Sequence, residues 1–344
     1  QRLEHSLYTR RVRGSNPRLP ISGTRRAKAR GAVAPGSSAP RGRFNCMPRL
    51  DVQKTYKLFI GGAFPRTESG RSLLVETAGG PVHLCHASRK DFRDAVEAAR
   101  AVQPKWAAAT AYNRGQVMYR MAEMMEGKRA ELAAAIAAVA PAGKPSRTKT
   151  GPSRSGTVSA AAEVDAAIDR LVCFAGWADK YGQVLGCNNP VAGPYYNFTV
   201  PEPTGVVAVV APDAMPLLGL VATLAPVICS GNAAVAVASE TNPVPAAVLG
   251  EVFATSDLPG GVVNILTGRR DELLSHIAGH RDVDGILACV TGAEAAQLRG
   301  GVAENLKRVV VQDGASLADA EMQSHPWTIE PFVEMKTVWH PASV

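Results

Sequence analysis

A doubly wound α/β fold, with a parallel sheet covered by helices on both faces, is what this sequence predicts, and three observations carry that expectation. Runs of small apolar residues such as Val206–Val210 and Ala233–Ala238 read as strands buried on both faces. Helical stretches separate such runs at βαβ spacing from Val206 to Val311. Composition is the third: 344 residues, 46% hydrophobic and 20% charged, allow a sizeable core and exclude a collagen-like, coiled-coil or wholly disordered chain.

The elements follow in chain order. Residues 1–46 are rich in Arg, Ser, Gly and Pro, with little that could pack, and are expected to be disordered. Their ten Arg and one Lys stand against Glu4 alone, so they carry +10 of a formal +8 and leave residues 47–344 at −2. The near-neutral remainder gives no electrostatic reason to expect a nucleic-acid partner. Three readings of the basic stretch stand side by side: translation that starts at Met47, an Arg-rich transit peptide, or a nucleic-acid-binding tail.

Tyr56–Ile60 reads as a short strand closed by Gly61-Gly62. Residues 91–106 place Phe92, Val96, Ala99 and Val102 on one helical stripe. A single longer helix is expected from Arg114 to Val139, where Met118, Met121 and Met125 read as core filler. Residues 140–157 form a polar linker, and Val158–Tyr181 another amphipathic helix. The period changes to two at Tyr195–Val200, a strand, followed by a turn at Pro201–Gly205. Strands at Val206–Val210, Ala233–Ala238, Val262–Leu266, Gly285–Val290 and Arg308–Val311 then alternate with helices, and Phe332–Trp339 closes the pattern as an isolated strand.

Several function classes are excluded or left without support. The apolar zone Gly205–Ala238 is broken by Pro212, Asp213, Pro216, Pro226 and Asn232, so no membrane-spanning helix is expected. The six Cys (46, 85, 173, 187, 229 and 289) form no CxxC pair and read as reduced thiols of a cytoplasmic protein. His83, Cys85 and His86 lack a second ligand pair, so no metal site is expected.

Seven segments, in order, resemble the aldehyde dehydrogenase superfamily: KLFIGGAF (57–64), EVDAAIDRLVCFAGWADKYG (163–182), PEPTGVVAVVAP (201–212), SGNAAVAVASETNP (230–243), LPGGVVNILTG (258–268), LKRVVVQDG (306–314) and the closing EMKTVWHP (334–341). The resemblance implies a Rossmann-like NAD-binding domain at 47–316, with an oligomerisation hairpin near 195–205, and a linker and oligomerisation strand at 317–344. It implies a chemistry of thiolate attack on an aldehyde, hydride transfer to NAD(P) and hydrolysis, which needs a Cys nucleophile, a carboxylate base and an oxyanion donor.

Each of these three is missing where the resemblance would place it. Ala214 occupies the position of the family's oxyanion Asn, and Gln312 that of its Glu base. Only Ala315–Glu334 separates Gly314 from the closing segment, so the Cys-bearing part of the catalytic domain is largely missing there. For the cofactor, Val237 replaces a Lys, while Pro212, Glu240, Gly268, Thr291 and Gly292 match binding positions; NAD binding is expected to be weak or lost. The preferred reading is a catalytically inactive relative, similar to the non-catalytic second module of family-sixteen aldehyde dehydrogenases, that forms a homo- or hetero-oligomer with a full-length catalytic relative. The alternatives are an active NAD(P)-dependent oxidoreductase acting on aldehyde or oxo groups, and a free-standing nucleotide-binding protein.

Overall fold

The computed structural model describes residues 54–139 and 158–342, all within one unit, Val52–Val344. The basic stretch 1–46 and the expected linker at 140–157 lie outside the described residues.

The first layer is a small sheet: β1 (Thr55–Tyr56), β2 (Ser72–Thr77) and β3 (Gly80–Cys85), in the order β1-β3-β2. Its β2–β3 hairpin was not foreseen in the sequence, although Leu73, Val75, Val82 and Leu84 alternate through it. The expected strand at 56–60 is shorter than its pattern. Past β1, Phe59 exchanges both backbone hydrogen bonds with Ile265 (3.0 and 2.7 Å) at the rim of the main sheet, and Ile60 bridges to Ala63.

Helices α1 (Arg89–Ala108), α2 (Ala111–Gly127), α3 (Arg129–Ala137) and α4 (Ala160–Trp177) follow. Ser88 and Asp91 form a reciprocal capping box that starts α1, and Thr110 caps α2. The single helix expected over 114–139 is two. Gly127, a poor helix former, ends α2, and Lys128 at φ −106°, ψ 13° turns the chain into α3. The helix expected over 158–181 likewise stops at Trp177, and Tyr181–Leu185 forms a separate short α5. Met118, Met121 and Met125 are fully buried, as core filler should be.

Next come β4 (Cys187–Asn188), β5 (Tyr195–Pro203), β6 (Val206–Val210), α6 (Leu218–Cys229), β7 (Ala233–Val237), α7 (Val244–Ala254), β8 (Val263–Leu266), α8 (Arg270–Gly279), β9 (Gly285–Ala288), α9 (Gly292–Gly301), β10 (Arg308–Val311), α10 (Ala320–Gln323) and β11 (Val333–Pro341). Strands β6 to β10 make one parallel sheet in the order β10-β9-β6-β7-β8. Every residue of β6 to β9 is buried. Val207 and Val209 join the core on one face, Val206, Ala208 and Val210 the core on the other, so the all-apolar runs meet helices on both sides. This is the doubly wound fold the alternation predicts.

The third sheet, β11-β5-β4, is antiparallel. Here the expected turn at Pro201–Gly205 is corrected: β5 runs on to Pro203, and the hairpin joins β4 to β5 instead. Asn197 accepts a hydrogen bond from the Asn189 N–H, so the odd-numbered backbone groups of β5 point toward β4. Strand β4 ends its pairing at Thr199, and Pro201 and Pro203 therefore sit where no ladder donor is needed. The closing strand is not isolated either. It pairs with β5 of its own chain over nine residues, Val333 opposite Pro203 to Pro341 opposite Tyr195.

Candidate functional site

In an open parallel sheet, ligands lie at the carboxyl ends of the strands, beside the point where strand order reverses. Here that point is between β6 and β9, and the loops leaving it contain Pro212–Ala214, Ser239–Thr241, Gly268–Arg270, Val290–Gly292 and Gln312–Gly314. The residues matched to the family's oxyanion, base and cofactor positions therefore come to one edge of one sheet.

That edge is occupied by the chain's own side chains. One carboxylate oxygen of Asp213 accepts hydrogen bonds from the Glu240 N–H (2.8 Å), the Thr241 N–H (3.2 Å) and the Ser239 hydroxyl (3.0 Å). Its other oxygen lies 2.9 Å from Nη1 of Arg270, a side chain only 8% exposed. The Arg270 guanidinium also donates to the Ala211 carbonyl (2.6 Å), while its Nε is buried without a partner. Sequence reasoning missed this pair. Its signal was present in the sequence as an Asp beside Ala214 and an Arg two residues after Gly268.

The expected cofactor residues are each engaged in the fold. Pro212 is buried and closely backed by Gly219 and Gly314; a Cβ at Gly314 would lie 2.7 Å from it. Glu240 accepts from the Arg270 N–H (3.3 Å), at the start of α8. Gly268 is buried against Ala87 and Leu273. Thr291 caps α9, but its capping-box partner Glu294 accepts from both the Thr291 N–H and hydroxyl (2.8 Å each). The Glu294 carboxylate therefore stands at the N-terminus of α9, beside Thr291 and Gly292.

At the two positions that the resemblance assigns to the oxyanion Asn and the Glu base stand Ala214 and Gln312. Ala214 is exposed, and the following Met215 adopts a left-handed φ of 52°. Gln312 spends its N–H on the Ala288 carbonyl (3.0 Å), extending the β9–β10 ladder. Asp313 caps the short turn at Gly314–Ala318 by accepting from the Ala315 N–H (3.1 Å). Burial pushes the Cys289 thiol, at the end of β9, up to about 11, and the fully buried Cys229 thiol higher still. A thiol held protonated is a poor nucleophile.

The aldehyde dehydrogenase family model matches residues 81–318. This chain belongs to the aldehyde dehydrogenase family. Among its relatives, retinal dehydrogenase 2 of Mus musculus is 32% identical over 288 residues, 80% of this chain and 52% of that enzyme. The mitochondrial aldehyde dehydrogenase of Sus scrofa is 33% identical, over 72% of this chain and 46% of its own length. A Bacillus cereus aldehyde dehydrogenase solved as an NAD+ complex has a TM-score of 0.66 at 26% identity, covering 75% of this chain and 50% of that one. The chain spans about half the length of the relatives it matches.

Groups at the sheet edge where the resemblance places a dinucleotide are engaged within the chain. The loop after β7 has its two N–H donors and one hydroxyl taken by Asp213. Val237 stands where the family resemblance places a ribose-binding Lys, and Glu294 would face a phosphate with like charge.

Proposed function

We propose that this family member is catalytically inactive and acts as a non-catalytic or regulatory subunit beside a full-length aldehyde dehydrogenase, with NAD binding weak or lost. The observation that carries the reading is the pair of neutral residues at the catalytic positions, Ala214 and Gln312. Neither side chain can supply what the chemistry requires, since an alanine side chain has no donor and an amide is no base at neutral pH. Losing one oxyanion donor alone typically lowers a rate by roughly 10²–10³. The buried, protonated Cys229 and Cys289 support it further.

The assembly reading is supported by the antiparallel sheet. Trp339 (58% exposed), Tyr195 (47%) and Met335 (44%) share one face of it, and the two aromatic rings stack edge-on at 5.8 Å. An exposed aromatic strip on a short sheet is surface that a partner chain would cover. Among the described residues no helix is long and apolar enough to cross a membrane, and free thiols, three of them buried, support a cytoplasmic setting.

The test is aldehyde-dependent formation of reduced nicotinamide by the purified chain, across aliphatic and aromatic aldehydes. No turnover above background is expected. Turnover that disappears in one Cys→Ala variant would establish the active-enzyme alternative and identify its nucleophile.

A further inference from the structure

We propose that the crevice is plugged by the chain itself: Asp213 is the anion held by the loop after β7, and Arg270 is the clamp that keeps it there. The inference rests on the non-catalytic reading for the identity of the crevice, and adds how the crevice is closed and by which residues.

Four donors from two other loops converge on one side chain. Two successive backbone N–H groups, at Glu240 and Thr241, and the Ser239 hydroxyl meet one oxygen, and the Arg270 guanidinium meets the other. Adjacent N–H groups aimed at one point, with a cation opposite, form a receptor for a carboxylate or phosphate. Any ligand oxygen reaching this loop must first expel Asp213. That would strand Arg270, which is buried and spends its other bond on the Ala211 carbonyl. Glu240 is drawn in as well, since it accepts the N–H of that same Arg270. The plug therefore joins the ends of β6, β7 and β8 into one bonded set.

Two experiments on the intact chain test this. In D213A the receptor keeps its donors and loses its anion, so added formate or acetate should refill it and raise the melting temperature, leaving the unplugged-to-plugged difference largely restored. Wild type should not respond. In D213A/R270G both members go, the charge balance of the crevice is kept, and titration calorimetry should detect NAD at least about tenfold tighter than in wild type, a change of about 1.4 kcal/mol. Circular dichroism confirms that each variant is folded; should the double variant fail to fold, the formate response of D213A decides alone. A D213A protein that ignores formate overturns the proposal, as does a wild-type chain that binds NAD as tightly as the double variant. Neither result bears on turnover, so failure of the plug and failure of the non-catalytic reading are told apart.

Discussion

Two of the described sheets keep opposite things. In the parallel sheet β10-β9-β6-β7-β8, strands β6 to β9 are buried on both faces and fixed by packing and their ladders. Its outgoing loops, where the family's chemistry sits, carry other residues: Ala214, Gln312, and a plug of Asp213 and Arg270. The antiparallel sheet β11-β5-β4 is largely exposed, and Tyr195, Met335 and Trp339 lie open on one of its faces. Burial fixes a frame, whereas loop chemistry at its rim can be replaced without moving a strand.

The sharpest way to break this comparison is the joint between the sheets, at buried Asn232. Its side chain accepts from the Gly205 N–H (2.7 Å) and donates to the carbonyls of Val227 (3.2 Å) and Phe332 (2.8 Å) and to the Ser230 hydroxyl (2.8 Å). Asn232→Ala leaves these groups unmatched in the interior and should lower stability by about 3–4 kcal/mol, read from urea unfolding. A loss under about 1 kcal/mol would mean the sheets are not joined here.

Val338→Pro acts on one sheet only. Its N–H points to Phe198 in the alternating ladder, so about 2–3 kcal/mol should be lost locally. Faster exchange in β5 and β11 with unchanged exchange in β6 and β7 is the expected pattern; uniform acceleration would make the antiparallel sheet part of the main core.

Lys307 offers a pH test on the parallel side. Burial lowers its amine from 10.5 to about 8, although nearby Asp284 opposes the shift. The unfolded chain then holds more protons between those values, so stability rises with pH in that window and the penalty is present below it. From about pH 7.5 to about pH 9.5 the gain attributable to Lys307 should be about 2 kcal/mol, and Lys307→Met should remove that slope in urea midpoints.

The smallest effect is the most informative about assembly. Trp339→Ala should change the stability of the isolated chain by less than about 1 kcal/mol, because the ring is mostly exposed. Sedimentation of the same variant should nevertheless show weakened association, with itself or with a full-length relative. Unchanged association would place the interface elsewhere.

Much of the frame was legible because it depends on pattern. Val206–Val210, Ala233–Val237 and the helices between them announce themselves by all-apolar runs and spacing, and the exchanged residues at 214 and 312 were visible against the family motifs. What escaped depended on local accommodation or on distant pairing. Gly127 splits one helix by its own poor propensity, whereas β5 running through Pro201 and Pro203 and β11 docking on β5 are settled by neighbours that the local sequence does not contain. The plug escaped for the same reason. Asp213 and Arg270 are 57 positions apart, and each alone looked like a defect in a motif.

Amide hydrogen exchange at Glu240 and Thr241 tests the central claim most directly, because these two N–H groups are the ones that Asp213 holds. In the ligand-free wild-type chain both should exchange slowly, both should become fast in D213A, and added NAD should leave the wild-type rates unchanged. Fast exchange in the wild type, or protection that appears only when NAD is added, would show an open crevice and contradict the account.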